Sequence, residues 1–180
     1  MGNREDLLAG AKRCLLEKGY AQTTVRDIAS AAGVSMAAIG YHYGSREALL
    51  TAAMFGALQD WGAEMERLLG SGDYVTEWRQ IIGSFTTHRA LWVATIEAFL
   101  QAERSPELRE QLAAGQWAGL RSYTAGLVDE VTEESMRTVG AIQMALISGV
   151  MVQWIVDPQH APRAEEVVAG LRALAAISQQ

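Results

Sequence analysis

The sequence predicts an all-α protein of about nine helices, and three observations support this prediction. Only three prolines occur in 180 residues, and alanine, leucine and glutamate, which favour helices, are frequent. Apolar residues recur every three or four positions along most of the chain. Residues 23–47 (TTVRDIASAAGVSMAAIGYHYGSRE) contain two helix start signals around one glycine turn. At this length we expect one or two domains with a core of ordinary size.

The first three predicted helices form a helix-turn-helix unit. The first helix runs from Asn3 to Lys18. Thr24 then provides the hydroxyl that caps a helix start, and Gly33 can adopt the left-handed conformation that ends that helix. Ser35 is placed to cap the next helix, at about residues 36–43. Capping residue, turn glycine and apolar anchors in register indicate a DNA-binding motif.

The rest of the chain is expected to form six further helices. Ser45 caps the fourth, which extends to about Leu69 and joins a DNA-binding domain at residues 1–45 to a regulatory and dimerisation domain at residues 46–180. Residues 70–73 (Gly-Ser-Gly-Asp) indicate a loop. Further helices are predicted at about residues 75–88, 91–103, 106–131, 132–157 and 162–178.

The distribution of charge favours site-specific contacts with nucleic acid. The net charge of −6 argues against a protein that coats nucleic acid non-specifically. Residues 1–50 hold six basic and five acidic residues, a net charge of +1, so the remainder carries −7. A nearly neutral DNA-binding region with a few basic side chains at specific positions suits binding to double-stranded DNA with modest electrostatic strength.

No metal site or catalytic centre is indicated. Cys14 is the single cysteine, and its helical spacing with Leu7 and Ala11 predicts a buried hydrophobe. The three histidines lack the spacing of metal ligands, and neither a phosphate loop nor a nucleophile elbow is present. The lone cysteine and the lack of a leader predict a cytoplasmic protein. We therefore expect neither an enzyme nor a cofactor.

The segment at residues 139–156 (VGAIQMALISGVMVQWIV) is apolar nearly all round. It is about long enough to cross a membrane, but Gln143, Ser148 and Gln153 interrupt it and no cluster of basic residues flanks it. A soluble helix of this kind must be covered on both sides, so we expect a second subunit on one side and no membrane. The predicted dimer interface consists of Ala141, Ala145, Gly149, Val152, Val167, Leu171 and Leu174.

The body of the chain is rich in bulky apolar residues, and all five tryptophans follow residue 60. Such residues form either a solid core or the wall of a small-molecule cavity. Glu97 lies at the edge of an apolar stripe, where it is either solvated or the polar anchor of a cavity for a cationic ligand. The candidate cavity residues are Trp61, Phe85, Trp92, Ile96, Glu97, Phe99, Trp117, Tyr123 and Met144.

The segment from Gly19 to Leu50 resembles the N-terminal signature of the TetR family of bacterial transcriptional regulators. The likeness rests on the runs GY, TTVRDIA, AGVS, YHY and SREAL within that segment. The stretch ALISGVMVQWIVDP is similar to the penultimate helix of many members. The resemblance implies a homodimer with a four-helix interface, a palindromic operator in double-stranded DNA and a cavity for a small-molecule effector.

The resemblance also assigns the DNA contacts. Arg26 and the exposed positions of the third helix would face base edges, while Thr24 and Arg46 would meet phosphates. Gly40 stands where many members carry tyrosine, so we expect half-site discrimination to depend on Arg26, His42 and DNA shape. The predicted DNA-binding residues are Thr24, Arg26, Ser35, Met36, Ala37, Ala38, Tyr41, His42 and Arg46.

Together these patterns predict a dimeric transcriptional regulator, a repressor that a small molecule releases from its operator. One alternative is an effector-independent DNA-binding co-regulator whose aromatic core is solid. Another is an enzyme or carrier built on the helical body, which the absence of paired catalytic groups in the sequence disfavours.

Overall fold

The computed structural model describes residues 3–69 and 73–179, and these residues form nine helices and no strand. The all-α prediction is therefore confirmed. The first seven helices are α1 (Asn3–Lys18), α2 (Val25–Ala32), α3 (Met36–Tyr43), α4 (Arg46–Leu69), α5 (Tyr74–Thr87), α6 (Arg89–Ala102) and α7 (Pro106–Ala125). Helix α8 (Glu133–Val156) contains a π-helical turn at Met136–Gly140, and α9 is Ala164–Ile177.

The helices group into two compact units. The first unit consists of Met1–Gly62 and Ala90–Gly119, and the second consists of Ala63–Arg89 and Leu120–Gln180. The division that we predict after residue 45 is a functional one, between DNA reading and regulation, and it stays a prediction.

The ends of the first four helices agree with the prediction because strong local signals set them. Gly19, Gly33 and Gly44 follow α1, α2 and α3 with φ of +83°, +68° and +78°, a conformation that glycine adopts without steric cost. The Ser45 hydroxyl oxygen accepts the Ala48 N–H at 3.0 Å and so caps α4 as expected.

Later helix ends depart from the prediction. Helix α7 stops at Ala125, six residues before the predicted end, and just beyond it the Leu127 N–H closes a tighter turn onto the Thr124 carbonyl oxygen at 3.0 Å. Helix α9 begins at Ala164 rather than at residue 162. Of the predicted loop at residues 70–73, residues 70–72 lie outside the described residues, and Asp73 caps α5 by accepting the Thr76 N–H at 2.9 Å.

The π-helical turn in α8 was not predicted. Thr132 and Ser135 cap the helix start reciprocally, and the π-helical turn follows at once. By length and composition, Glu133–Val156 could cross a membrane: its most apolar window has a mean hydropathy of 1.8, and 28% of that window is buried. A single helix of this kind is weak support for a membrane span.

The core of the first unit is tightly closed around α1 and α2. A Cβ added to Gly10 on α1 would lie 3.0 Å from the backbone nitrogen of Ala32 on α2, so the two helices cross with almost no space between them. Cys14 is buried beside this crossing, which confirms its prediction, and burial raises the pKa of its thiol.

Candidate nucleic-acid interface

The start of α2 is fixed by a capping box. The Thr24 hydroxyl oxygen accepts the Asp27 N–H at 3.2 Å, while the Asp27 carboxylate accepts the Thr24 N–H at 2.9 Å. Lys18 donates to the other oxygen of that carboxylate at 2.5 Å. The Lys18 ammonium and then the two Thr24 donors hold the pKa of Asp27 well below its usual range. The predicted capping role of Thr24 is confirmed, and its hydroxyl is already hydrogen-bonded within the protein.

The loop between α1 and α2 is clamped from two sides. Glu97 on α6 accepts the N–H groups of Tyr20 and Ala21 at 2.6 and 3.1 Å. Arg46 on α4 donates to the carbonyl oxygens of Tyr20, Ala21 and Thr23 at 2.6, 3.3 and 2.5 Å. Charged partners thus satisfy backbone groups that no helix or strand would otherwise pair.

The turn between α2 and α3 leaves the start of α3 open. The Gly33 backbone N–H bonds to the last carbonyls of α2, and Val34 N–H bonds to Ala29 O at 3.1 Å. Ser35 has the extended backbone of an N-cap, as predicted, but its hydroxyl makes no capping hydrogen bond. The exposed first turn of α3 therefore presents donors that an anion such as a phosphate can accept.

The exposed surface of α3 carries most of the residues that we expect to meet DNA. Tyr41 is 86% exposed and Met36 is 53% exposed, while Ile39 points inward and is buried. The ring of Tyr41 stands edge-on to that of His42, with 4.9 Å between the centroids. Ala38 is partly buried against the core of the first unit, so Ala37, which is exposed, is the better placed of the two to contact DNA.

The two candidate arginines differ in their surroundings. Arg26 on α2 is exposed, and among the described residues it has no hydrogen-bond or ion-pair partner. The Arg46 side chain is mostly buried, pairs with Glu47 at 3.0 Å and lies over the Tyr20 ring. The geometry therefore favours a structural role for Arg46, and its phosphate contact stays a prediction.

Two family models match consecutive parts of the chain. The model for bacterial regulatory proteins of the tetR family matches residues 7–53, which contain α1 to α3 and the start of α4. The model for the tetracyclin repressor-like C-terminal domain matches residues 69–176, more than half of the chain. The chain belongs to the TetR family. Membership makes it a regulatory protein rather than an enzyme.

Curated relatives of this TetR-family chain are HTH-type transcriptional repressors. AcnR of Corynebacterium diphtheriae is 30% identical over 109 residues, which are 60% of this chain and 54% of that protein. AcnR of Corynebacterium efficiens is 42% identical over 52 residues, which are 29% of this chain and 28% of that protein. The matched regions thus span about half the length of these relatives or less.

Solved structures share the fold over nearly the whole TetR-family chain. A putative TetR-family transcriptional regulator from Rhodococcus sp. superimposes with a TM-score of 0.69 at 20% identity, covering 98% of both chains. The multidrug binding protein EbrR, solved in complex with proflavin, gives a TM-score of 0.69 at 20% identity over 96% of this chain and 99% of its own. At such identities the likeness shows the fold alone.

The predicted cavity residues are distributed over both units. Trp61 and Trp92 are buried in the first unit and pack edge-to-face, with ring centroids 4.8 Å apart. Phe99 and Trp117, at 38% and 49% exposure, lie on the surface rather than around a closed cavity. Glu97 is engaged with the α1–α2 loop, so the hypothesis that it anchors a cationic ligand is not supported by its contacts. Ile96 is partly buried in the first unit, and Phe85, Tyr123 and Met144 belong to the second unit.

The predicted dimer residues fall into two groups. An exposed stripe on α8 contains Ala145, Gly149 and Val152, with Ala141 beside it, and on α9 Leu174 is exposed and Leu171 partly so. Val167 is buried within its own unit, as are Ala164 and Val168 on the same helix. This burial does not support a contact with a partner subunit, and the assignment of Val167 to the dimer interface stays a prediction.

Sequence reasoning missed the contacts by which Asp27 and Glu97 hold the start of α2 and the loop before it. Asp27 could have been found, since it stands three residues after Thr24 and can complete a capping box. Glu97 is 77 residues from its partner Tyr20, and no local pattern indicates such a contact.

Proposed function

We propose that this chain is a DNA-binding transcriptional repressor that acts in the cytoplasm as a homodimer on a palindromic operator. The main support for the proposal is α3, which has an uncapped start and exposed side chains and packs on a buried core. This helix lies in the region that the TetR family model matches. The curated relatives, all HTH-type transcriptional repressors, support the same reading.

In the proposed complex, α3 lies in the major groove. Arg26 would bond to a guanine edge, and Ala37 would contact a thymine methyl. The open start of α3, with Ser35 and Met36, would face the phosphate backbone. Tyr41 and His42 extend the contact surface at the other end of the helix. Two such helices in a dimer would enter successive major grooves about 34–36 Å apart.

The proposed dimer uses the exposed stripe of α8 together with α9. Val152, Val156 and Leu174 are 45%, 78% and 62% exposed, although water-exposed apolar surface of this extent is unfavourable in a monomer. Ala145 and Gly149 are small enough to let a partner helix approach closely. A second subunit would also cover the apolar helix that could otherwise be read as a membrane span.

A small-molecule effector would release the repressor by favouring one of two forms of the dimer. The coupling required is typically about 1–3 kcal/mol. A protein of similar fold, EbrR, was solved with proflavin bound, and this supports a ligand-responsive function here. Helix α4, which continues from the DNA-binding region into the body, is the proposed route of the signal.

The Arg26→Ala variant tests the DNA contact. A duplex selected from a random pool by the wild-type dimer serves as the operator, and fluorescence anisotropy measures binding. We expect the affinity for the selected duplex to fall by about 1–3 kcal/mol, with discrimination lost at one position of each half-site. Arg109→Ala removes an exposed arginine from α7 and is the control. Unchanged affinity and specificity in Arg26→Ala would reject this interface.

The dimer is tested by Ala145→Asp, with Ala113→Asp on the exposed side of α7 as the matched control. A buried, unpaired carboxylate is costly, so light scattering should report a monomer only for Ala145→Asp. A dimer of unchanged affinity would place the interface elsewhere.

A second candidate function is that of a co-regulator without an effector, and the solid packing of Trp61 against Trp92 favours it. Thermal unfolding with proflavin and a panel of small organic ions separates the two functions. A saturable rise in melting temperature supports the ligand-responsive repressor, whereas no response across the panel supports the co-regulator.

A further inference from the structure

The second unit contains a groove of about 630 Å³ beside the π-helical turn of α8. Its walls come from α5, α8 and α9 and from the segment after α7. None of the nine candidate cavity residues lines it. Apolar side chains make up most of its surface: Leu127, Val139, Ile142, Leu146 and Leu171, the last of which is also a predicted dimer residue.

The groove has a polar end that is built into the fold. Gln143 is only 7% exposed, although it lies in the most apolar helix of the chain. Its side-chain oxygen accepts the Tyr74 hydroxyl at 2.5 Å, and both residues line the groove. A buried polar pair of this kind fixes orientation and offers hydrogen bonds to a ligand that enters from the apolar side.

The π-helical turn supplies the residues on one wall. Three of its five members, Arg137, Thr138 and Val139, line the groove. The turn packs closely against α7, since a Cβ added to Gly140 would clash with the Thr124 hydroxyl oxygen and lie 3.2 Å from Leu120 O. Single π-helical turns are rare in proteins and are frequent at functional sites.

Arg137 is the only charged residue among the described residues that line the groove. Its guanidinium is paired with Glu133 at 3.0 Å, and the two side chains are 67% and 71% exposed. An ion pair as exposed to water as this one contributes little to stability, about 0–1 kcal/mol. The guanidinium can therefore turn towards a ligand carboxylate with little loss, and such a pair is shorter and stronger than a neutral hydrogen bond.

We propose that this groove binds an organic monoanion, a molecule with an elongated apolar body and one carboxylate, with Arg137 meeting the carboxylate. The apolar wall excludes a highly charged ligand such as a nucleotide, and the single arginine selects an anion over a cation. As the site of the effector, the groove rests on the proposed function. Its binding chemistry can be tested on the free protein, without DNA.

The test uses octanoate and octan-1-ol as probes, which share the same apolar chain and differ in charge. Isothermal titration of the full-length protein should show saturable binding of octanoate. We expect Arg137→Gln to weaken octanoate binding about tenfold and to leave octan-1-ol binding nearly unchanged. Glu133→Gln should strengthen octanoate binding, because it removes the competing carboxylate. Arg121→Gln, which removes an exposed arginine of the same unit outside the groove, is the control.

Several results would overturn the proposal. One is equal loss of octanoate binding in Arg137→Gln and Arg121→Gln, and another is octanoate binding that none of these variants changes. Thr138→Trp provides an independent check, since an indole placed in the groove should block both probes while the circular dichroism spectrum stays helical. Undiminished binding in Thr138→Trp would place the probe elsewhere. If Arg26→Ala left DNA binding intact but the octanoate results were as expected, the proposed DNA interface would fail and the groove would stand.

Discussion

The Glu97 carboxylate on α6 lies 2.6 Å from the Tyr20 backbone nitrogen in the loop that precedes α2. The same oxygen accepts the Ala21 N–H, and Arg46 binds the carbonyls of the loop from α4. Tyr20 itself is buried, and its hydroxyl is 3.3 Å from that of Thr51. The position of α2, which carries Arg26, therefore depends on two charged side chains from helices outside the helix-turn-helix.

Replacement of Glu97 should destabilise the first unit. Glu97→Ala removes a charged acceptor from two N–H groups, so we expect the free energy of unfolding to fall by about 1.5–3 kcal/mol. Glu97→Gln should lose less, because its amide oxygen can still accept both bonds. Glu110→Ala, at an exposed position of α7, is the control. Denaturant unfolding at one fixed protein concentration measures the difference, and equal effects of Glu97→Ala and Glu110→Ala would contradict the clamp.

Substitutions of Arg46 and Arg26 should have different effects, the first on the stability of the protein and the second on DNA binding. Arg46→Ala breaks bonds to three carbonyls, so we expect about 1–3 kcal/mol lower stability. Arg46→Lys should restore only part of it, because an ammonium cannot reproduce the guanidinium fork. Arg26→Ala should leave stability unchanged. Should Arg46 contact a phosphate instead, the slope of log affinity against log salt would fall by about 1 in Arg46→Ala, which salt titrations of binding would show.

Replacement by alanine should change the stability of the protein in opposite directions at two glycines. At both Gly33 and Gly40, an added Cβ has no atom within 4 Å. Gly33 has φ of +68°, so Gly33→Ala should destabilise by about 1 kcal/mol or more through backbone strain. Gly40 lies within α3, where alanine should stabilise by roughly 0.5–1 kcal/mol. Thermal unfolding of the two variants checks this, and a change of the same sign in both would refute the argument.

Asp27 should make stability depend on pH. Its pKa is 3.8 in the reference state and lower in the folded protein. Its contribution to the free energy of unfolding is therefore complete above about pH 4 and is lost as the pH falls through the pKa that Asp27 has in the folded protein. We expect Asp27→Asn to be less stable than the wild type at pH 6 and the difference to shrink below pH 4. Asp129→Asn, at an exposed bend, should show no such trend.

Local signals made α1 to α4 predictable from the sequence. Thr24, Gly33 and Ser45 act within three or four residues of their own position, through caps and backbone conformation. The same kind of signal was insufficient later in the chain. The end of α7 depends on a weak stop at Gly126, and the sequence around Thr138 reads as ordinary helix although it forms a π-helical turn.

Site residues could be predicted from the sequence where their exposure follows the 3.6-residue period of a helix. They could not be predicted where contacts between distant parts of the chain determine their role. The exposed positions Met36 and Tyr41 follow from the period of α3. The role of Arg46 does not, because its partners lie 23 to 26 residues away in the chain. The burial of Val167 also escaped prediction, since both faces of α9 are apolar in sequence and only packing distinguishes them.

Cys14 gives this protein a built-in chemical probe. It is the single cysteine of the chain, it is buried, and its carbonyl accepts the Thr23 hydroxyl next to the clamped loop. An alkylating reagent can reach the sulfur only when α1 separates from its neighbours. The rate at which whole-protein mass increases by one adduct therefore measures how often the DNA-reading region opens, on unmodified protein and with or without operator.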